Sequence, residues 1–194
     1  MPSKFILSSL FITIALILMQ FIQNDLLFLR ENIQQGEFWR IWTGNLIHSN
    51  YYHLVLNLAG FWVFVLLFKE SMNAVQLWVS LILLISGVGF GLYFLNPELY
   101  WYAGLSGALY GLFIIGAVYS LIDKDYLTGF SILIVIPTKI IWDHLHHSGQ
   151  INADLIGVPV STDAHLYGIA SAFFIGLLIV FNHFRKTSTV SLDN

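Results

Sequence analysis

The sequence predicts an all-α polytopic membrane protein, and three observations carry that prediction. Hydrophobic residues make up 57% of the 194 positions and charged residues 10%. With a mean hydropathy of +0.76, that is too little polar surface to solvate a globule of this size. Six apolar runs approach the roughly 20 residues needed to cross a hydrocarbon core of about 30 Å. The segments joining them are short except for 23–50 and 143–163, which fall on one side of the bilayer if all six runs span it.

The first run, 5–22, ends against Gln23, Asn24 and Asp25 rather than at a small-residue cleavage site, so it reads as an anchor and not as a removed signal. The second, 51–68, opens with HLVLN, and the third covers 74–95. The fourth, 103–122, starts in GLSGALYG, where one serine lies among glycines. The fifth, 126–142, contains Pro137, and the sixth, 164–184, opens with AHLYG. Connections at 69–73, 96–102 and 123–125 are short, with no internal repeat or low-complexity stretch, so one membrane domain over 1–194 is the simplest organisation.

Basic residues orient the bundle. An inside N-terminus puts Lys4, Lys69, Lys124, Arg185 and Lys186 in the cytoplasm against Arg30, Arg40 and Lys139 outside, in the sense of the positive-inside rule. Lys139 can snorkel to the outer interface, and Arg40, in FWRIW, reads as interfacial. Both termini are then cytoplasmic and both long loops external. A net charge of −3 with no basic stripe gives no sign of a nucleic-acid partner. The absence of Cys excludes disulfides, thiol nucleophiles and thiolate metal sites.

This topology places four polar side chains in one layer. At about 1.5 Å per residue, Ser106 stands roughly 24 Å above the inner end of the fourth span, His165 roughly 26 Å above that of the sixth, and His53 and Asn57 roughly 22 and 16 Å above that of the second. A serine hydroxyl becomes a nucleophile when a neutral imidazole accepts its proton, and the oxyanion then needs donors. His165 is a candidate base. His53 and Asn57, spaced i, i+4, share a helix face and offer a ring N–H and an amide. Gly104 and Gly107 let the backbone around Ser106 turn tightly and present N–H groups, those of Gly104 and Leu105 being candidate oxyanion donors. Tyr110 shares the face of Ser106, where its ring can stack on the imidazole and hold it in place. Asp163 points to another side than His165, so the candidate is a Ser/His dyad without a third member. Gly107 and Gly111, against Ala164, Gly168, Ala172 and Gly176, form two smooth strips on which helices approach closely. Each residue alone also fits a plain structural role: Ser106 as helix packing, His53 and Asn57 as interhelical hydrogen bonds, Trp39, Trp42, Trp101 and Trp142 as an interfacial belt.

GLSG at 104–107, HLVLN at 53–57, AHLYG at 164–168 and EFWR at 37–40 together resemble, in order and on matching spans, the rhomboid family of intramembrane serine proteases. The resemblance covers about residues 36–180. It implies a six-helix rhomboid-like bundle with a partly buried first external loop that carries Trp39 and Arg40. It also implies Ser106 as nucleophile, His165 as general base, Tyr110 as the stacking tyrosine, and His53 and Asn57 on the oxyanion side. Residues 139–168, KIIWDHLHHSGQINADLIGVPVSTDAHLYG, are further similar to the rhombosortase branch. That branch implies cleavage of C-terminal Gly-Gly-type sorting tails on exported proteins, transpeptidation as a variant outcome, and a Gram-negative inner membrane with the site open to the periplasm. Ala172, where a Gly is common, and the bulky Tyr167 depart from the broader pattern.

The expected partners are transmembrane proteins with a C-terminal hydrophobic tail and the surrounding lipid, and no cofactor is expected. Asp143, His144, His146 and His147 lack a structural zinc spacing, and no HExxH is present, so a solvated loop is preferred to a metal site. His48 is expected to make a structural hydrogen bond. The competing class is a transporter or non-catalytic binding protein, for which intramembrane His and Asn are equally suited. The serine discriminates, because transport has no need of a nucleophile facing a base.

Overall fold

The computed structural model describes residues 2–146, 153 and 156–190. In chain order it has α1 (Pro2–Met19) with a 3-10 turn at Gln20–Ile22, α2 (Gln23–Leu26), β1 (Phe28–Leu29), α3 (Arg30–Gln34), α4 (Arg40–Thr43), α5 (Tyr51–Phe68), α6 (Ala74–Leu95), β2 (Trp101–Tyr102), α7 (Ser106–Ile122), α8 (Tyr126–His146) and α9 (Thr162–Val190). Among the described residues, five stretches are long and apolar enough to cross a membrane: Pro2–Leu26, Tyr51–Phe68, Ala74–Leu95, Tyr126–Asp143 and Thr162–Arg185. The sixth, α7, is apolar but has 17 residues, about 25 Å of helix. The protein is therefore an all-α polytopic membrane bundle.

α7 is the central helix, packed on α5, α6, α8 and α9. A helix surrounded in this way must be apolar on every face, and its small residues, among them Ala108, Gly111 and Ala117, are buried. Phe61, Phe64 and Phe68 of α5 fill the space between α1 and α7. α6 starts with a reciprocal cap, Asn73 accepting from the Gln76 N–H and the Gln76 side chain accepting from the Asn73 N–H. At its other end the buried Arg30 guanidinium donates to the carbonyls of Leu92, Tyr93, Asn96 and Leu99 at 2.7–3.0 Å. The carbonyls of Leu92, Tyr93 and Asn96 at the end of α6 lack helical partners, and a cation there also suits the helix dipole.

The fourth span begins three residues later than the expected 103. Tyr102 pairs with Phe28 across the β1–β2 ladder, the Gly104 N–H donates to the Gly44 carbonyl at 3.1 Å, and Gly104 has φ +133°. The backbone hydrogen bonds of this segment run sideways into the first long loop rather than along a helix. Apolar composition could not register that. α1 likewise gives way at Gln20 to the short turn, whose Gln20 side chain donates to the His48 carbonyl and accepts from its N–H. α8 continues through Pro137 to His146, past the expected 142.

The first long loop is built on buried arginines. Arg40 donates to the carbonyls of Asn24 and Leu27 and pairs with Glu37; hydrogen bonds from Arg40 and Asn32 hold the Glu37 carboxyl below its usual range. Phe38 and Trp39 stand exposed beside it. The loop thus buries its two arginines while Phe38 and Trp39 stay exposed, an arrangement suited to a segment lying against lipid headgroups.

Candidate active site

Ser106 is the first residue of α7, and its Oγ lies 2.9 Å from Nε2 of His165 near the start of α9. Two helices must approach closely for so short a side chain to reach. A methyl group built on Gly107 would stand 2.7 Å from the Ala164 carbonyl oxygen, and one on Gly168 would overlap the Gly107 carbonyl. Backbone therefore meets backbone at this crossing, with Gly111 against the Gly168 carbonyl and Ala172 fully buried further along. Helix packing and the Ser–His contact are one feature, since the smooth strips set the distance at which the hydroxyl meets the ring.

The Tyr110 ring centroid is 4.5 Å from that of His165, tilted at 47° rather than stacked in parallel. On the far side, Asn96 at the end of α6 donates to Asp163 at 2.6 Å and accepts from the Tyr167 hydroxyl. Asp163 and Tyr167, one on each side of His165 in sequence, thus clamp the start of α9 to α6. Asp163 points away from the imidazole, and the bulk of Tyr167 is received against Gly91 of α6.

His53 and Asn57 sit on α5 facing the same space. The His53 ring packs against Gly104, where an added methyl would lie 2.8 Å from Cε1, so positive φ and missing side chain are both needed at Gly104. Nδ1 of His53 is 3.1 Å from the Ser49 hydroxyl. Asn57 donates through Nδ2 to the His53 carbonyl, and its buried Oδ1 has no partner among the described residues. Gly104 differs from the expectation: its N–H is already given to the Gly44 carbonyl and is not offered to a ligand. Leu105, fully buried, is the residue immediately before the helix and carries one of the amides at the start of α7.

His48 also differs from the expectation. Its buried ring nitrogens have no hydrogen-bond partner among the described residues, although its backbone is bonded to Gln20. Burial first, and the neighbouring His53 second, push its imidazole down to about 3, so it is neutral. Its ring packs edge-on to His53 at 5.1 Å.

Two participants carry no role in the sequence reading of the site: Tyr102 lies outside the quoted motifs, and Lys139 opens the 139–168 stretch without a site role. The buried Tyr102 hydroxyl donates to the Gly104 carbonyl at 2.7 Å and faces Ser106 and the Gly107 N–H. Lys139 of α8 pairs with Asp143 and faces the Tyr110 hydroxyl. An aromatic two residues before a turn glycine, and a Lys at i, i+4 from Asp in an apolar span, were the available signals. The side chains of His144, His146 and His147 lie outside the described residues.

These groups line a cavity of about 490 Å³ that contains Ser106, His165, His53, Asn57, Tyr110 and Lys139. Leu56 and Gly60 of α5, Ile136 of α8, and Val158, Pro159, Val160 and Ser161 also line it. A hydroxyl in hydrogen-bond contact with an imidazole, inside a largely apolar cavity beside amides of a helix start, has the parts needed for acyl transfer.

Residues 35–182 match the family model described as "Rhomboid domain". Among curated proteins the chain is similar to "Putative rhomboid protease YdcA" of Bacillus subtilis (strain 168), 25% identical over 152 residues that cover 76% of this chain and 70% of that one. The matched family segment runs from the loop of buried arginines through the helix that carries His165 and takes in every wall of the cavity, and by that match the chain belongs to the rhomboid family of intramembrane serine proteases.

Proposed function

We propose that the chain is an intramembrane serine endopeptidase in which Ser106 is the nucleophile and His165 the general base. The observation that carries this reading is the 2.9 Å contact between Ser106 Oγ and His165 Nε2, made across two helices inside the cavity. As Oγ attacks the scissile carbonyl carbon, its proton passes to Nε2. The oxyanion faces the Leu105 and Ser106 backbone N–H groups and the second amide proton of Asn57. His53 adds a donor at Nε2 in the tautomer whose unprotonated Nδ1 accepts a hydrogen bond from the Ser49 hydroxyl. His165 then gives its proton to the leaving amine, which departs with the C-terminal tail. Water, deprotonated by His165, releases the acyl group and restores the serine.

The substrate is a membrane-anchored protein whose hydrophobic tail enters from lipid between α5 and α8, where the cavity continues past Leu56, Gly60 and Ile136. We assign the finer specificity to C-terminal Gly-Gly-type sorting tails, on the motifs of residues 139–168. A Gly-Gly pair has little helical propensity and no side chains, so it extends into a narrow site at small cost. The basic-residue balance puts the site on the outer side, which for this specificity is the periplasmic face of a Gram-negative inner membrane, with both termini cytoplasmic. An amine reaching the acyl-enzyme before water would give transpeptidation.

The test uses the protein reconstituted in vesicles with two tailed substrates differing only in Gly-Gly against Leu-Leu, the products being located by mass spectrometry. Cleavage beside Gly-Gly, loss with Ser106→Ala, and resistance of the Leu-Leu substrate are expected. Equal cleavage of both would leave a general rhomboid protease and remove the sorting-tail specificity. No cleavage of either would favour a non-catalytic rhomboid-like binding or transport protein.

A further inference from the structure

Lys139 is, among the described residues lining the cavity, its one Lys, Arg, Asp or Glu side chain. A cation in an apolar span is costly, and where one is kept it is paired and marks a functional path. Here the pairing is with Asp143, one turn further along α8 and largely buried on its side chain, whereas the Lys139 side chain is 47% exposed. The ammonium also faces the Tyr110 hydroxyl, whose ring packs on His165. Lys139 therefore lines the same cavity as Ser106, together with Leu56 and Gly60 of α5 and Ile136 of α8.

The geometry points to Lys139 as a substrate-binding residue, whose ammonium takes a backbone carbonyl of the unwound substrate segment beside the scissile bond; this rests on the protease reading proposed above. An ammonium has three N–H donors, and Asp143 and the Tyr110 hydroxyl account for two. A substrate helix that unwinds in apolar surroundings loses acceptor partners for its carbonyls, and each carbonyl left unsatisfied is expensive. The third donor meets that need. The ligand is a neutral dipole rather than a carboxylate, because Asp143 already balances the charge and would repel a second anion. The same placement explains why a Lys–Asp pair sits on α8, on the wall past which the substrate must move.

The experiment compares wild type, Lys139→Met and Lys139→Arg in vesicles with two readouts. One is steady-state cleavage of the Gly-Gly tailed substrate. The other is the labelling rate of Ser106 by a small fluorophosphonate, which has no peptide carbonyl to bind. Lys139→Met is expected to lower kcat/KM about tenfold, chiefly through KM, the usual scale for losing a hydrogen bond to a charged donor. Its labelling rate should stay within about threefold of wild type, and Lys139→Arg should recover most of the cleavage. Unchanged cleavage in Lys139→Met, or labelling that falls in parallel with cleavage, would overturn the proposal. A wild-type protein that neither labels at Ser106 nor cleaves would instead remove the protease reading beneath it.

Discussion

The two walls of the cavity are held in different ways. On one side, the segment leading to Ser106 is tied by the β1–β2 ladder, by the Gly104–Gly44 hydrogen bond and by the Tyr102 hydroxyl, while α7 and α9 touch backbone to backbone. On the other, α8 packs mainly on α7 and lightly on α9. Only 17% of its most apolar stretch is buried, against 44% for α6. Pro137 removes one backbone donor from α8 without interrupting it. A reacting pair needs its atoms held to fractions of an ångström, whereas an entrance for a hydrophobic tail needs a wall that can move. Geometry is fixed where chemistry is proposed and left loose where passage is proposed.

Breaking the tight wall has the largest expected effect. Gly168→Leu puts a side chain where the Gly107 carbonyl lies, so α7 and α9 must separate. Overpacking of this kind costs about 1–3 kcal/mol or more. Both thermal stability in detergent and cleavage should collapse, and a variant that keeps its melting temperature would show that the crossing is not tight. Next is Gly104→Ala, which strains a backbone at φ +133° and drives a methyl into the His53 ring. The strain is on the order of 1–3 kcal/mol, and cleavage should fall further than stability does, because Ser106 follows two residues later.

Asn57→Ala comes third. One oxyanion donor is typically worth about 2.7–4 kcal/mol, but backbone amides remain, so kcat should drop by roughly a hundredfold with little change in KM. Unaltered kinetics would make Asn57 a purely structural tie to the His53 carbonyl. The smallest effect belongs to the loose wall. Ile134→Ala, at a position of α8 that is itself 65% exposed, should shift stability by less than about 0.5 kcal/mol.

The sequence made the spans legible because apolar length is a strong signal, and it located the layer of polar residues because depth in a bilayer follows from counting along a helix. Ser106, His165, Tyr110, His53 and Asn57 could be gathered on paper for that reason, and the fold brings them around one cavity. What escaped were interactions made by backbone or at long range. The Gly104 amide is occupied by Gly44, sixty residues earlier, which no local pattern encodes. Arg30, counted only as an external charge, caps α6 through the carbonyls of Leu92, Tyr93 and Asn96. Asp163 and Tyr167 were read singly, and only the fold shows both converging on Asn96.

The proposed dyad is tested most directly by the chemistry of its serine. Intact protein in vesicles would be treated with a fluorophosphonate, digested, and the modified residue identified by mass spectrometry in wild type and in His165→Ala. The account predicts a single adduct on Ser106 whose formation slows by at least about a hundredfold without the imidazole, the lower end of general-base assistance. An adduct elsewhere, or labelling of Ser106 at the same rate without His165, would contradict it.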